Sequence, residues 1–185
     1  MQNKEVNANN VNSNNNQVKT KKRVADHGEV FTHEREVNAM LDLVKNETER
    51  LDSRFLEPAC GSGNFLVEVL NRKLKILEQK YKESQHDYEQ YAVIVISSIY
   101  GIDLLQDNVE ECRKRLSEIF TKEYISIFKK KINEKFLEIL KIILEKNIIC
   151  GDALTMKDNV GKPIVFSEWS MPYNDMRLKQ KEYSF

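Results

Sequence analysis

The sequence predicts an α/β fold: a parallel sheet of about four strands with helices on its flanks. Three observations carry this. Short apolar runs alternate with longer stretches at helical spacing. The first run, Phe55-Leu56, passes straight into a glycine-containing turn and then a long amphipathic stretch. Three strand ends carry an acidic residue, Glu57, Asp103 and Asp152. In a doubly wound sheet, ligands bind beyond the carboxyl ends of the strands.

At 185 residues and 41% hydrophobic, the chain suits one domain with a core. Residues 1–23 hold eight asparagines and end in Lys19-Thr20-Lys21-Lys22-Arg23. They bury too little apolar surface to offset ordering entropy, so a disordered tail is expected there, with the domain spanning 24–185. The basic cluster is a solvated tail or a contact for nucleic acid. Thr32 can cap a first helix with Glu34 and Glu36 in its first turn and Val37, Met40, Leu41 and Val44 as its apolar stripe.

Phe55–Glu57 is the first strand. A helix from Asn64 to about Tyr81 buries Leu66, Val69, Leu70, Leu74 and Leu77, and a second covers roughly Asp87–Ile96. Ile99–Asp103 is the next strand. Asp107 with Glu110 forms a capping box for a helix striped by Val109, Cys112, Leu116 and Ile119. A further helix carries Phe136, Ile139, Leu140, Ile143 and Leu144. Asn147–Cys150 is the third strand, ending at Gly151-Asp152, and Pro163–Trp169 is a fourth.

The formal charge is zero but unevenly spread: residues 1–23 hold five Lys/Arg against one acid, while 24–156 are net acidic by five. That argues against duplex binding by the body alone. Cys60, Cys112 and Cys150 are scattered without a CxxC pair, which fits reduced core residues and no metal. No stretch approaches the roughly 20 apolar residues of a membrane helix, and no signal peptide is visible. A cytoplasmic location is expected.

Glu57-Pro58-Ala59-Cys60-Gly61-Ser62-Gly63-Asn64-Phe65 is the most informative string. Two glycines one residue apart let backbone approach a ligand, so a Cβ at Gly63 is expected to intrude on it. The first N–H groups of the next helix face the same place. A dinucleotide fingerprint needs a third glycine three residues on, and Leu66 stands there. That counts against a nucleotide-binding oxidoreductase.

The string resembles motif I of S-adenosylmethionine-dependent DNA methyltransferases, particularly the adenine-N6 group. The resemblance implies a partial Rossmann-like sheet of strand order 3-2-1-4, with S-adenosylmethionine as cofactor. Glu57 then positions the loop and the methionine ammonium, with Pro58, Ala59, Gly61 and Gly63 in the cradle. Asp103 resembles motif II and takes both ribose hydroxyls, with Ile102 and Leu104 flanking the adenine. Asp152 resembles motif III and accepts from the adenine amine, where Gly151 admits the purine closely and Ala153 lies alongside. His27-Gly28-Glu29-Val30-Phe31-Thr32 resembles motif X, although His33 replaces the family's proline. Phe31 and Thr32 then close over the methionine end, or Phe31 simply packs under the first helix. The motif order X, I, II, III is that of the gamma arrangement, and the resemblance runs from Val24 to about Leu154.

The family's catalytic tetrad, (Asn/Asp/Ser)-Pro-Pro-(Tyr/Phe/Trp), has no standard counterpart. Ser170-Met171-Pro172-Tyr173 is nearest. Ser170 accepts from the target amine and Tyr173 stacks on the flipped base, or the segment is a structural turn. The expectation is a DNA adenine-N6 methyltransferase of a restriction–modification or phage modification system, truncated or split. The alternative is a noncatalytic cofactor-binding subunit. DNA recognition would need a domain or subunit absent here. As outermost strand, 163–169 is too apolar for a free edge, so a partner subunit or homodimer is expected on it.

Overall fold

Each crossover between neighbouring parallel strands is a pair of helices in the computed structural model, which describes residues 21–27, 29–30, 32–170 and 179–184. Strand β1 (Phe55–Glu57) leads through the glycine turn into α4 (Asn64–Tyr81), and α5 (Gln85–Ser97) returns the chain to β2 (Ile99–Asp103). Helices α6 (Gln106–Phe128) and α7 (Glu134–Asn147) carry it on to β3 (Ile148–Asp152). Upstream lie α1 (Lys21–His27), α2 (Glu34–Asp42) and α3 (Lys45–Thr48).

Local chemistry sets the helix ends. Ser84 accepts the Asp87 N–H at 3.3 Å to start α5, and Asn133 accepts the Lys135 N–H at 3.0 Å to start α7. Two cap expectations are corrected. The N-cap of α2 is His33, one residue after Thr32, with Glu36 accepting the His33 N–H at 3.2 Å. Helix α6 begins at Gln106, so Asp107 lies inside its first turn and pairs with Arg23 at 2.6 Å instead of forming a capping box.

β1, β2 and β3 are parallel and adjacent in that order, and β4 (Lys157–Asp158) adds to β3 antiparallel. Ile99 and Ile148 face the helices, joining Leu66, Val69, Leu70 and Leu77 of α4 in the main core. Tyr100 and Ile102 face the other way, into a small cluster with Ile164 and Phe166.

The expected fourth parallel strand is a correction. Its residues form β5 (Val165–Ser170), paired antiparallel with β6 (Lys179–Ser184) in a separate two-stranded sheet. The reason is the second face of β2. Phe166 meets the Tyr100 ring edge-on at 5.4 Å, and the Tyr100 hydroxyl donates to the Ser167 carbonyl at 3.0 Å. Trp169 donates to the Asn147 amide at 3.2 Å, and Glu168 pairs with Arg54. The apolar run that suggested a ladder strand is a cover for the sheet, and β6 occupies one of its edges.

Lys73 lies fully buried on the core face of α4. Its ammonium donates to the Leu51 carbonyl (3.1 Å), the Ser53 carbonyl (2.5 Å) and the Ser98 hydroxyl (2.7 Å), tying together the approaches to β1 and β2. Burial pushes its pKa down to about 7.

The Tyr88 hydroxyl is buried without a hydrogen-bond partner among the described residues, while its ring packs edge-on against Phe128 at 5.2 Å. Tyr88→Phe removes an unsatisfied polar group and keeps the ring. It is expected to leave the melting temperature unchanged or raise it, by up to about 1 kcal/mol of stability. A drop in melting temperature would show that the hydroxyl has a partner in solution.

Candidate functional site

The carboxyl ends of β1, β2 and β3 open into one cleft of about 510 Å³, within the usual range of small-molecule sites. Thr32, Glu57, Pro58, Ala59, Gly61, Asp103, Leu104, Asp152 and Ala153 all line it. These are nine of the sequence candidates, and the fold brings them to one cleft. Phe31 and Tyr173 lie outside the described residues.

Asp103 is the hub. Its Oδ2 accepts the Gly61 N–H at 2.8 Å, closing the glycine turn onto β2. Its Oδ1 accepts the Leu105 N–H at 2.9 Å and the Asn108 amide at 3.1 Å. The turn is also held from outside: Arg115 on α6 donates to the Ser62 carbonyl (2.7 Å), the Ser62 hydroxyl (3.1 Å) and Asn64 Oδ1 (2.9 Å). Asn64 in turn donates to the Thr32 carbonyl at 3.3 Å, joining the upstream segment to the turn.

Glu57 is half-buried at the end of β1, and desolvation raises its pKa above the usual carboxylate value, against a weaker opposing bond from the Ala59 N–H at 3.4 Å. Asp152 is held low by the Leu154 N–H (2.8 Å) and the Thr155 hydroxyl (3.0 Å), which close the turn after β3. Glu29, Glu57, Asp103 and Asp152 line the cleft, and no Lys, Arg or His is among its described lining residues. Glu29 is ion-paired with Arg23, which leaves Glu57, Asp103 and Asp152 as the acidic wall, with Val30, Met40, Leu104 and Leu154 as exposed apolar rim.

Four further candidates are placed differently. Gly63 does not line the cleft: a Cβ there would sit 2.6 Å from the Cys112 sulfur, and its φ is +89°. Ile102 is 1% exposed in the cluster beneath Phe166, on the opposite face from the glycine turn. Gly151 reaches the cleft wall, but its absent Cβ admits the Lys157 carbonyl (2.6 Å) and Ile164 (2.8 Å). Ser170 pairs with Lys179 beyond Trp169, which contacts the residue preceding β3. It therefore lies at the amino end of the strands, across the sheet from the cleft.

Sequence reasoning missed Asn108, Glu29 and Arg115 as site residues. Asn108 is 1% exposed, one turn before Cys112 on the inner stripe of α6. A polar residue on an apolar stripe was the available signal.

The profile of the MmeI DNA-methyltransferase domain matches residues 16–163. The chain belongs to that family. The MmeI-type match ends shortly before β5, so the cleft lies within it and the β5–β6 hairpin outside. A protein of Methanocaldococcus jannaschii, provisionally named a type II restriction enzyme and methyltransferase, is 26% identical over 132 residues. That alignment covers 68% of this chain and 11% of the relative. No solved structure matches the chain significantly. This MmeI-type chain thus carries a DNA-methyltransferase domain, and no helix among its described residues is long and apolar enough to cross a membrane.

Proposed function

We propose that the cleft binds S-adenosylmethionine and that the domain serves DNA adenine-N6 methylation in a restriction–modification or phage modification system. The observation that carries this is the anionic cleft around a glycine turn closed by Asp103. Glu57, Asp103 and Asp152, with Glu29 already paired to Arg23 and no Lys, Arg or His among the described lining residues, disfavour a pyrophosphate and favour a ligand bearing an ammonium and a sulfonium. The cofactor supplies the methyl group when bound.

The chain's own residues bind and orient. Glu57, partly desolvated, favours a cationic neighbour that would restore its charged form. Asp103 accepts from the ribose. Asp152 retains acceptor capacity on Oδ2 for the adenine amine, while Leu104 and Leu154 shield the purine from water. Thr32, bonded through its carbonyl to Asn64, sets the entrance beside the glycine turn.

Acceptors for the target-base amine are not supplied by Ser170 in this arrangement. They come from residues outside those described or from another chain, as does DNA recognition. The acidic cleft itself repels phosphate, which is consistent with that division.

The test is calorimetry with S-adenosylmethionine and S-adenosylhomocysteine on folded protein. Binding of at least one is expected, and Asp103→Ala should weaken it by about 1.5–3 kcal/mol, the scale of a bond to a charged acceptor. No heat with either ligand would remove the proposal.

A further inference from the structure

An ionised carboxylate offers about four acceptor sites, two on each oxygen. On Asp103, Oδ1 holds two donors, the Leu105 N–H and the Asn108 amide, whereas Oδ2 holds one, the Gly61 N–H. One site therefore remains, on Oδ2. A ribose presenting two hydroxyls meets a carboxylate with room for one.

Whether that count survives ligand binding depends on how firmly Asn108 is held. Its amide nitrogen also donates to Glu29 Oε1 at 2.6 Å, and its own Oδ1 accepts from Arg23 at 3.2 Å. Arg23 is fixed in turn, donating to both Glu29 oxygens at 2.5 and 2.8 Å and to Asp107 at 2.6 Å. Glu29's side chain is only 7% exposed, so these bonds are shielded from water. Rotating the Asn108 amide away from Asp103 breaks bonds at both of its ends, each charge-assisted by Glu29 or Arg23.

We propose that Asn108, pinned by Arg23 and Glu29, is a positioning residue that reserves Asp103 Oδ1, so that this cleft recognises one ribose hydroxyl through Asp103 and is indifferent to the other. This rests on the cofactor reading above. It deepens that reading by fixing which part of the nucleoside the site can tell apart. It also gives the segment upstream of α2 a role in specificity, although Arg23 and Asp107 do not line the cleft.

The experiment is a titration of the purified full chain with S-adenosylhomocysteine and with its 2′-deoxy and 3′-deoxy analogues. One analogue is expected to bind within about twofold of the parent, and the other to lose about tenfold or more, the worth of one charge-assisted bond. In Asn108→Ala the second Oδ1 site opens, and the tolerated analogue should then also fall behind the parent by severalfold. Because Asn108 is buried, Glu29→Gln serves beside it: it keeps the amide in place and weakens its pin, and should shift the same ratio in the same direction.

Wild-type protein that loses tenfold with both analogues, or with neither, overturns the inference. So does a ratio unchanged in Glu29→Gln. Failure of the parent ligand itself to bind would instead overturn the cofactor reading, so the two failures are distinguishable. A merely structural Asn108 would lower all three affinities together and leave their ratios alone.

Discussion

Gly63→Val is expected to remove about 3–4 kcal/mol of folding stability. Two costs add. A β-branched residue at φ +89° is strained by about 1–3 kcal/mol, and its Cβ would lie 2.6 Å from the sulfur of Cys112, which is 0% exposed and has little room to retreat. Overpacking of that kind costs about 1–3 kcal/mol more. The sequence alone suggested that this glycine makes room for a ligand, which would spare the fold and spoil only binding. The structure turns its Cα toward α6, so melting and titration should collapse together. Gly63→Ala combined with Cys112→Ala should recover the clash component and leave the backbone strain. A Gly63→Val protein that melts like wild type but no longer binds would show that the Cβ points into the cleft after all.

Lys73→Met is expected to destabilise by about 2–4 kcal/mol at pH 9. The methionine fills the same space but leaves the Leu51 and Ser53 carbonyls without their donor, at about 1–3 kcal/mol for each unsatisfied group, offset in part by relief of a buried amine. The size depends on pH. Lys73 titrates near 7 in the folded protein and near 10.5 when unfolded. Between those values the unfolded chain binds more protons, so the lysine's contribution to stability rises with pH across that window and is lowest below pH 7. Methionine has no such dependence. Urea melts at pH 6, 7.5 and 9 should therefore show the gap between wild type and Lys73→Met widening as pH rises. A gap that stays constant or narrows would place the folded lysine's pKa near its ordinary value.

Much of this fold was legible because helix and strand periods differ and punctuation was clear. Helix Asn64–Tyr81 and strand Ile99–Asp103 fall where the pattern put them. What could not be read was the face to which a strand residue points. Ile99 to Asp103 is apolar on both sides, since helices cover one and β5 the other, so no alternation marks the parity. For that reason Ile102 passed as a neighbour of the adenine, although it faces away from Gly101 and Asp103. Gly63 and Gly151 were legible as glycines needed for close approach, but not as to what approaches. The destination of Ile164–Phe166 depended on Tyr100, more than sixty residues away in sequence. Asn108 escaped for a similar reason: Asp103 is five residues away, but Glu29 is 79.

The helix pairs in the crossovers have a consequence for how the chain reaches this state. A flexible connection over residues 58–98 would raise the closure entropy by about 1 kcal/mol over a minimal crossover of a dozen residues. Helices α4 and α5 avoid most of that. At about 1.5 Å per residue, 18 residues carry the chain roughly 27 Å away and 13 bring it about 20 Å back. Tyr81 and Tyr91, stacked at 4.0 Å, clasp the pair near its bend. Local contacts of this kind are expected to form before long-range ones, which would deliver β2 beside β1, and β3 beside β2, as already-docked ends. Parallel pairing then becomes a late collision of prebuilt parts. Because Glu57, Asp103 and Asp152 belong to three different strands, the cleft exists only when β1, β2 and β3 are all in place, and its occupancy reads out their assembly.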